Sequence, residues 1–325
     1  MKDKTALVLG ATGGIGGAVA RRLLDSGWTV RALKRGLDAA TRHDGGIDWL
    51  RGDAMDADAV ARAARGCAVI VHAVNPAGYR NWAGLSPAML RHTIAAARIE
   101  GALVVLPGSV YNFGRATFPL VAQDAPQQPH TRKGRIRVAM EAELRAATAD
   151  GAMRALVVRA GDYFGPDAGN NWFGQALVKP GRPVTRIAVP GTPGVGHQWA
   201  YLPDVAETMV ALVERRATLE PFAAFQMGGH WDADNTQMVG AIAAAVQARS
   251  GRRPATSRFP WWTLPLIAPF NETMRELREM RYLWREPVRL DNRKLVALLG
   301  AEPHTPLAQA VERTLEGLRC LARHP

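Results

Sequence analysis

Leu7-Val8-Leu9-Gly10-Ala11-Thr12-Gly13-Gly14-Ile15-Gly16 is the stretch that decides the fold. Its glycines stand at Gly10, Gly13 and Gly16, a G-x-x-G-x-x-G spacing, between an apolar run and the helix-compatible segment Ala18 to Leu24. A strand that enters a glycine turn and opens a helix is the context a dinucleotide-binding turn requires. Glycine permits the tight turn and lets backbone approach a pyrophosphate, to which the helix N-terminus presents unpaired N–H groups and partial positive charge. Gly10, Thr12, Gly13, Gly14, Ile15 and Gly16 are therefore the expected contacts. The alternative, a glycine-rich turn without a ligand, fits this position and these flanks less well.

Outward from that turn, strand and helix patterns alternate. Residues 4–10, 28–34, 47–51, 68–73, 102–106 and 154–159 read as strands, and 14–26, 56–65, 85–100 and 134–149 as helices. Such alternation predicts an α/β fold: a Rossmann-type doubly wound parallel sheet with its ligand crevice at the strand C-termini. Gly and Pro are dense from 165 to 196, which reads as loop with a short helix near 171–178. A helix at 203–215 and a strand at 222–227 look like a return to the sheet. Helices are expected at 235–249 and near 270–283. The resulting division is a cofactor domain over 1–168, with 197–228 returning to it. Residues 169–196 and 229–325 then form a smaller C-terminal α/β substrate lobe.

The 325 residues, 47% hydrophobic, suffice for one large core or a core plus a smaller lobe. No segment approaches ~18 uncharged apolar residues, so no membrane span is expected. The first strand starts almost at once, leaving no room for a secretion signal. Cys67 and Cys320 suggest neither a disulfide framework nor a metal pair, and a cytoplasmic location fits. The net charge is +12, and 35 of the 41 basic residues are arginine. No run is densely basic and no nucleic-acid motif appears, so the charge reads as a surface bias with some anion-binding arginines rather than a nucleic-acid surface.

These residues resemble the extended and atypical branch of the short-chain dehydrogenase/reductase superfamily, the NAD-dependent epimerase/dehydratase family. The resemblance runs from Gly10 to about Leu299. It rests on the glycine turn, Gly52-Asp53, Asn75-Pro76, Arg159-Ala160-Gly161-Asp162-Tyr163-Phe164-Gly165-Pro166, and Trp199-Ala200-Tyr201-Leu202-Pro203-Asp204-Val205-Ala206. It implies a nicotinamide dinucleotide held also by Asp53, Ala54, Ala73, Asn75, Lys133, Ala160 and Tyr163. Asp53 would accept from the adenine amino group, or else serve as a turn cap. An NAD site usually ends its second strand with an acid that accepts from the ribose 2′-OH. Here Lys34 and Arg35 stand at that end, and two cations suit a 2′-phosphate. The expected cofactor is NADP(H).

The resemblance breaks at the catalytic motif. The family places a Ser or Thr after the fifth strand, then Tyr-x-x-x-Lys at a helix start, where the Lys lowers the Tyr pKa for proton transfer. Ser109 matches the Ser, but Lys133 stands for the Tyr and Arg137 for the Lys. Lys133 and Arg137, four apart, share a helix face. Arg137 would bind the nicotinamide ribose and depress the Lys133 pKa, leaving Lys133 or Tyr111 to supply a proton. The readings that follow are an NADP(H)-dependent oxidoreductase, a non-catalytic NADP(H) redox sensor, or an epimerase/dehydratase.

Substrate signals also depart. Sugar-nucleotide epimerases carry an Arg where His197 stands, and Arg289-Leu290-Asp291 is one residue short of their late Arg-x-x-Asp. A non-nucleotide small molecule is expected instead. Trp261, Trp262, Phe270, Tyr282 and Trp284 would line an apolar pocket, or form a core or a subunit contact. His130, His197 and His230 lack partners at ligand spacing, so no metal is expected. A homodimer through the helices near 85–100 and 134–149 follows from the resemblance.

Overall fold

In β1 (Thr5–Leu9), Ala6 and Val8 enter one apolar core while Leu7 and Leu9 enter another, the period of two of a strand buried on both faces. The computed structural model describes residues 4–76, 81–168, 171–267 and 278–321. Parallel strands β2 (Thr29–Lys34) and β4 (Ile47–Arg51) extend the sheet on one side of β1, and β3 (Thr41–Asp44) closes that edge antiparallel to β4. On the other side follow β5 (Val69–His72), β6 (Leu103–Ser109), β8 (Arg154–Ala160) and β12 (Phe222–Gln226), all parallel. The eight-stranded order is β12-β8-β6-β5-β1-β2-β4-β3.

Helices cover both faces. Val19 and Leu23 of α1 (Gly14–Asp25) share one core with Val205 and Met209 of α5 (Leu202–Glu214). Val60 of α2 (Ala57–Ala64), Leu90 of α3 (Trp82–Glu100) and Leu144 of α4 (Arg132–Ala147) fill the other. The sheet is doubly wound, as the alternation predicts. Its order reverses at β1, which opens a crevice at the C-terminal ends of β1 and β5.

A third core belongs to three small sheets. Their orders are β13-β11-β9, β10-β14 and β15-β7. The strands are β7 (Leu120–Val121), β9 (Asp162–Phe164), β10 (Arg186–Val189), β11 (His197–Tyr201), β13 (His230–Asp232), β14 (Ala255–Arg258) and β15 (Arg289–Leu290). Phe164, Phe173, Trp199, Tyr201 and Trp284 pack there with Ile242 of α6 (Gln237–Ser250). β11 serves two cores: Trp199 and Tyr201 enter this one and Ala200 the first. Within the 165–196 stretch the expected short helix is a helical turn at Phe173–Leu177, and β10 is a strand that the loop reading lacked. The helix expected near 270–283 falls largely on residues outside those described, and its described end is a short turn, Met280–Trp284.

Gly161 steers the chain between sheets. A Cβ there would come closer than 3.0 Å to the Gln198 carbonyl, so only glycine lets β8 run on into β9 against β11. Next to it, Arg159 is 3% exposed and donates from Nε and Nη2 to Glu141 of α4, at 3.2 and 2.6 Å. Asn112 Nδ2 and Gln127 Nε2 donate to the same carboxylate at 2.8 and 3.1 Å. Late segments reach back to the sheet. Glu302 accepts from the Gly228 and Gly229 N–H groups at 2.8 and 2.7 Å, and Asp204 accepts from Thr305 N and Oγ1 at 2.8 and 2.7 Å.

Candidate active site

The glycine turn closes without side chains. Gly10 has φ +89°, and the Gly13 N–H donates to its carbonyl at 2.9 Å. A Cβ on Gly10 would lie 2.5 Å from the Ala73 carbonyl oxygen, and one on Gly16 would overlap the Gly10 carbonyl. Gly13 caps α1 with no side-chain hydrogen bond, and the first turn holds no acid. Both leave the helix N-terminus suited to an anion. It faces a cleft of ≈ 1160 Å³ walled by Gly10, Thr12, Gly13, Gly14 and Ile15. Single-ligand pockets span roughly 300–1,000 Å³, so this cleft has room for a dinucleotide and a small substrate together. Gly16 corrects the sequence reading. It is not on the wall but packs beneath Gly10, where its lack of a Cβ brings helix and strand together.

At one end of the cleft stand Lys34, Arg35, Asp53 and Ala54. Lys34 Nζ lies 5.5 Å from the Trp49 ring centroid. Arg35 Nη1 is 3.8 Å from Asp53 Oδ2, while Asp53 Oδ1 accepts from the Met55 N–H at 3.0 Å. Asp53 thus caps its turn, and still lines the cleft. Ala73 and Asn75 hold the middle, with Asn75 Oδ1 accepting from Trp82 Nε1 at 3.2 Å.

The other end gathers Ser109, Tyr111, Lys133, Arg137 and Tyr163. Ser109 ends β6, and its Oγ is buried with no partner among the described residues. Lys133 is 5% exposed in the first turn of α4, whose N-cap Thr131 accepts from Gly134 N at 3.0 Å. Arg137 donates from Nη1 to the Pro107 carbonyl at 3.4 Å and lies over Trp82, 5.3 Å from its centroid. Tyr163 donates to the Gly108 carbonyl at 3.4 Å, and burial pushes its phenol up to about 12 against the opposing pull of Arg137. Ala160 is a second correction. It lies in the core at the end of β8, and Gly161, Asp162 and Tyr163 take the wall instead.

Asp162 and His72 are among the wall residues to which the sequence reading gave no role. Asp162 is 7% exposed and accepts from the Tyr111 hydroxyl at 3.3 Å. His72 ends β5, with Nδ1 2.8 Å from Thr93 Oγ1 and Nε2 without a partner among the described residues. Burial, then Arg137, lowers the His72 pKa to about 3, so the ring is neutral near pH 7. His230 is lowered to about 4, by burial and then by His304, whose ring lies 4.3 Å away. Between roughly pH 6.5, the free-imidazole value, and these lowered values, the unfolded chain binds protons the folded chain refuses. Stability is therefore expected to fall as pH drops from about 6.5 toward 4. Urea titrations at pH 7 and pH 5 should show this loss, and His72→Gln should reduce its pH dependence; equal midpoints at both pH values would refute it.

The late-lobe aromatics divide. Tyr282 and Trp284 are core residues, Trp261 is half-buried against Trp172, and Trp262 is 74% exposed. Phe270 lies outside the described residues. Trp172, Asn171, Gln175 and Met280 line the cleft instead. At the two places where the sequence departs from a sugar-nucleotide phosphate clamp, His197 is 3% exposed and Asp291 pairs with Arg293. His130 packs edge-on to Tyr282 at 4.4 Å. Among the described residues no group of three or more His, Cys, Asp or Glu is placed to hold a metal, and no helix is long and apolar enough to cross a membrane.

Comparison with known proteins agrees with this architecture. Residues 6–228 match the model of the NAD dependent epimerase/dehydratase family. The uncharacterized protein y4nL of Sinorhizobium fredii (strain NBRC 101917 / NGR234) is 24% identical, over 95% of this chain and 94% of that protein. Among solved structures, a putative epimerase from Burkholderia cenocepacia J2315 superposes with a TM-score of 0.72 at 18% identity, covering 98% of this chain and 99% of that one. A UDP-galactose 4-epimerase gives 0.71 at 20% identity, covering 97% and 98%. The Bordetella bronchiseptica enzyme WbmH, in complex with NAD+, gives 0.69 at 16%, covering 98% and 99%.

Proposed function

Because this chain belongs to the NAD dependent epimerase/dehydratase family, we propose that it is an NADP(H)-dependent oxidoreductase acting on a carbonyl or alcohol of a non-nucleotide small molecule. The observation that carries this reading is the convergence of Ser109, Tyr111, Lys133 and Arg137 at one end of a cleft whose other parts suit a dinucleotide. The fit is physical: the cradle at Gly10 is one a Cβ would fill, and the α1 N-terminus has no side-chain cap. When bound, the reduced nicotinamide supplies a hydride. Ser109 Oγ holds the substrate oxygen, Arg137 anchors the ribose, and Lys133 or Tyr111 supplies the proton. Turnover of NADPH against a panel of aldehydes and ketones tests the assignment. Ser109→Ala, Tyr111→Phe and Lys133→Met should each slow it at least tenfold; full activity in all three would overturn these roles. Tight NADP(H) binding with no turnover would favour a redox sensor.

Selectivity for NADP(H) follows from charge. β2 ends in Lys34 and is followed by Arg35, both on the cleft wall and with no acid at that strand end. Each cation pairing with a 2′-phosphate is worth about 1–2 kcal/mol, roughly tenfold in affinity. Calorimetry should find NADPH tighter than NADH, and Lys34→Asp with Arg35→Ala should erase the difference. Equal affinities in the parent chain would end this reading.

The substrate class follows from what is missing. A buried His197 stands where sugar-nucleotide epimerases carry an arginine, and Asp291 is held by Arg293, which speaks against a sugar-nucleotide diphosphate. The epimerases among the structural neighbours keep one other reading alive: oxidation and re-reduction of a substrate with no net cofactor change. Dimerisation through α3 and α4 is part of the proposal, and sedimentation at micromolar concentration checks it.

A further inference from the structure

Behind Tyr111 lies a buried acid–base pair that the proposed roles leave unused. Gly161 lets β8 pass into β9, and the parallel register pairs Asp162 with Trp199 of β11. His197 stands two residues before Trp199, on the same face of that strand. Asp162 Oδ1 accepts from the Tyr111 hydroxyl at 3.3 Å, and Asp162 Oδ2 lies 3.0 Å from His197 Nε2. His197 and Asp162 are 3% and 6% exposed at their side chains. The His–Asp contact is short but lies off the ring N–H axis, so it is a charge contact rather than an aligned hydrogen bond.

The proton count follows from the partners. His197 Nδ1 lies 3.0 Å from the Leu283 carbonyl oxygen, which can only accept, so Nδ1 carries a hydrogen. A neutral ring would then leave an unprotonated, partly negative Nε2 3.0 Å from the Asp162 carboxylate. A second proton removes that repulsion. The ring also stacks on Trp284, with centroids 3.8 Å apart and planes 6° apart, and meets Trp199 edge-on at 4.9 Å. An indole face attracts a cation. Among the described residues the Tyr282 phenol also faces Asp162, and burial and then the Asp162 charge hold it in its neutral form.

We propose that Asp162 is the base behind Tyr111, and that His197 is a positioning residue whose charge keeps Asp162 ionised in its buried place. The inference rests on the oxidoreductase reading above. In the oxidative direction a bound oxidised nicotinamide would take the hydride released as the substrate C–H bond breaks. The substrate O–H proton passes to the Tyr111 oxygen, while the Tyr111 proton passes to Asp162 Oδ1. A carbonyl, a reduced cofactor and one proton on Asp162 result, and reduction runs the same transfers backwards. Tyr111 needs no neighbouring lysine in this arrangement. Its hydroxyl already points at the acceptor, and the substitution of Lys133 and Arg137 for the family Tyr and Lys leaves a working proton path.

Two measurements test this. In cofactor-free protein with 15N-labelled histidine at neutral pH, the His197 ring, assigned by its loss in His197→Gln, should be protonated on both nitrogens. In Asp162→Asn it should revert to the neutral Nδ1–H form. A neutral ring in the parent, or no change in Asp162→Asn, overturns the pair. With a panel substrate, Asp162→Asn and His197→Gln should each lower kcat at least tenfold, with KM and NADPH affinity within twofold. The two variants perturb opposite members of the pair, and circular dichroism confirms that each is folded. A parent that turns over while both folded variants match it removes the relay alone. A parent with no turnover on any substrate removes the oxidoreductase reading, and the base role with it.

Discussion

Glu141→Ala is expected to lower the unfolding free energy by about 3–5 kcal/mol, the usual consequence of stranding a buried charge. Arg159 is 3% exposed and has no water to turn to when the carboxylate is removed. Asn112 Nδ2 and Gln127 Nε2 lose their acceptor in the same change. The damage falls where α4 meets the end of β8, beside the cleft, so loss of cofactor affinity should accompany it. Replacing both partners, Glu141→Met with Arg159→Met, should recover much of the stability, because no charge is then left buried. Urea midpoints for the two single variants and the double variant form the necessary cycle. A single-variant loss below about 1 kcal/mol would show that the pair is far better hydrated than its burial implies.

Gly16→Val is expected to abolish measurable cofactor binding, with at least a hundredfold loss of NADPH affinity. The Cβ would collide with the Gly10 carbonyl, and the obstacle is backbone rather than a side chain that can swing away. Relief requires the turn itself to open, which spoils the approach of the α1 N-terminus. Gly240 is the natural control. It lies inside α6, where an added Cβ meets nothing within 4 Å. Gly240→Ala should stabilise the chain by roughly 0.5–1 kcal/mol and leave NADPH affinity unchanged. Comparable calorimetric affinities for the parent and Gly16→Val would contradict the placement of the cofactor.

The parallel strands of the main sheet were legible because they are largely apolar runs, such as Val69–His72, separated by helices with clear ends; the antiparallel edge strand Thr41–Asp44, polar and exposed, was not read. Short strands were not: Asp162–Phe164 and His230–Asp232 have three residues each, too few for a period to show. The cleft residues named from the glycine turn and the strand ends were readable because local sequence sets them. Gly16 and Ala160 were misread because a motif position does not say whether a residue contacts a ligand or packs beneath one that does. Asp162 was invisible for a different reason. Its partner Tyr111 is 51 residues away, and the contact exists only through the register of β9 against β11. His72 lay within a strand read as buried, with no sign that it would line the cleft.

The match to the family model ends at residue 228, yet the structure does not come apart there. The amides of Gly228 and Gly229 close on Glu302, and Asp204, inside the matched stretch, closes on Thr305. Excising residues 6–228 would leave those amides and that carboxylate facing solvent with the ends of β12 and α5 unbraced. The stretch that defines the family is therefore not a part that can be lifted out and swapped. Chimeras that trade late lobes between relatives should join well beyond 228, after both clasps, or carry Glu302 and Thr305 across with the sheet they hold.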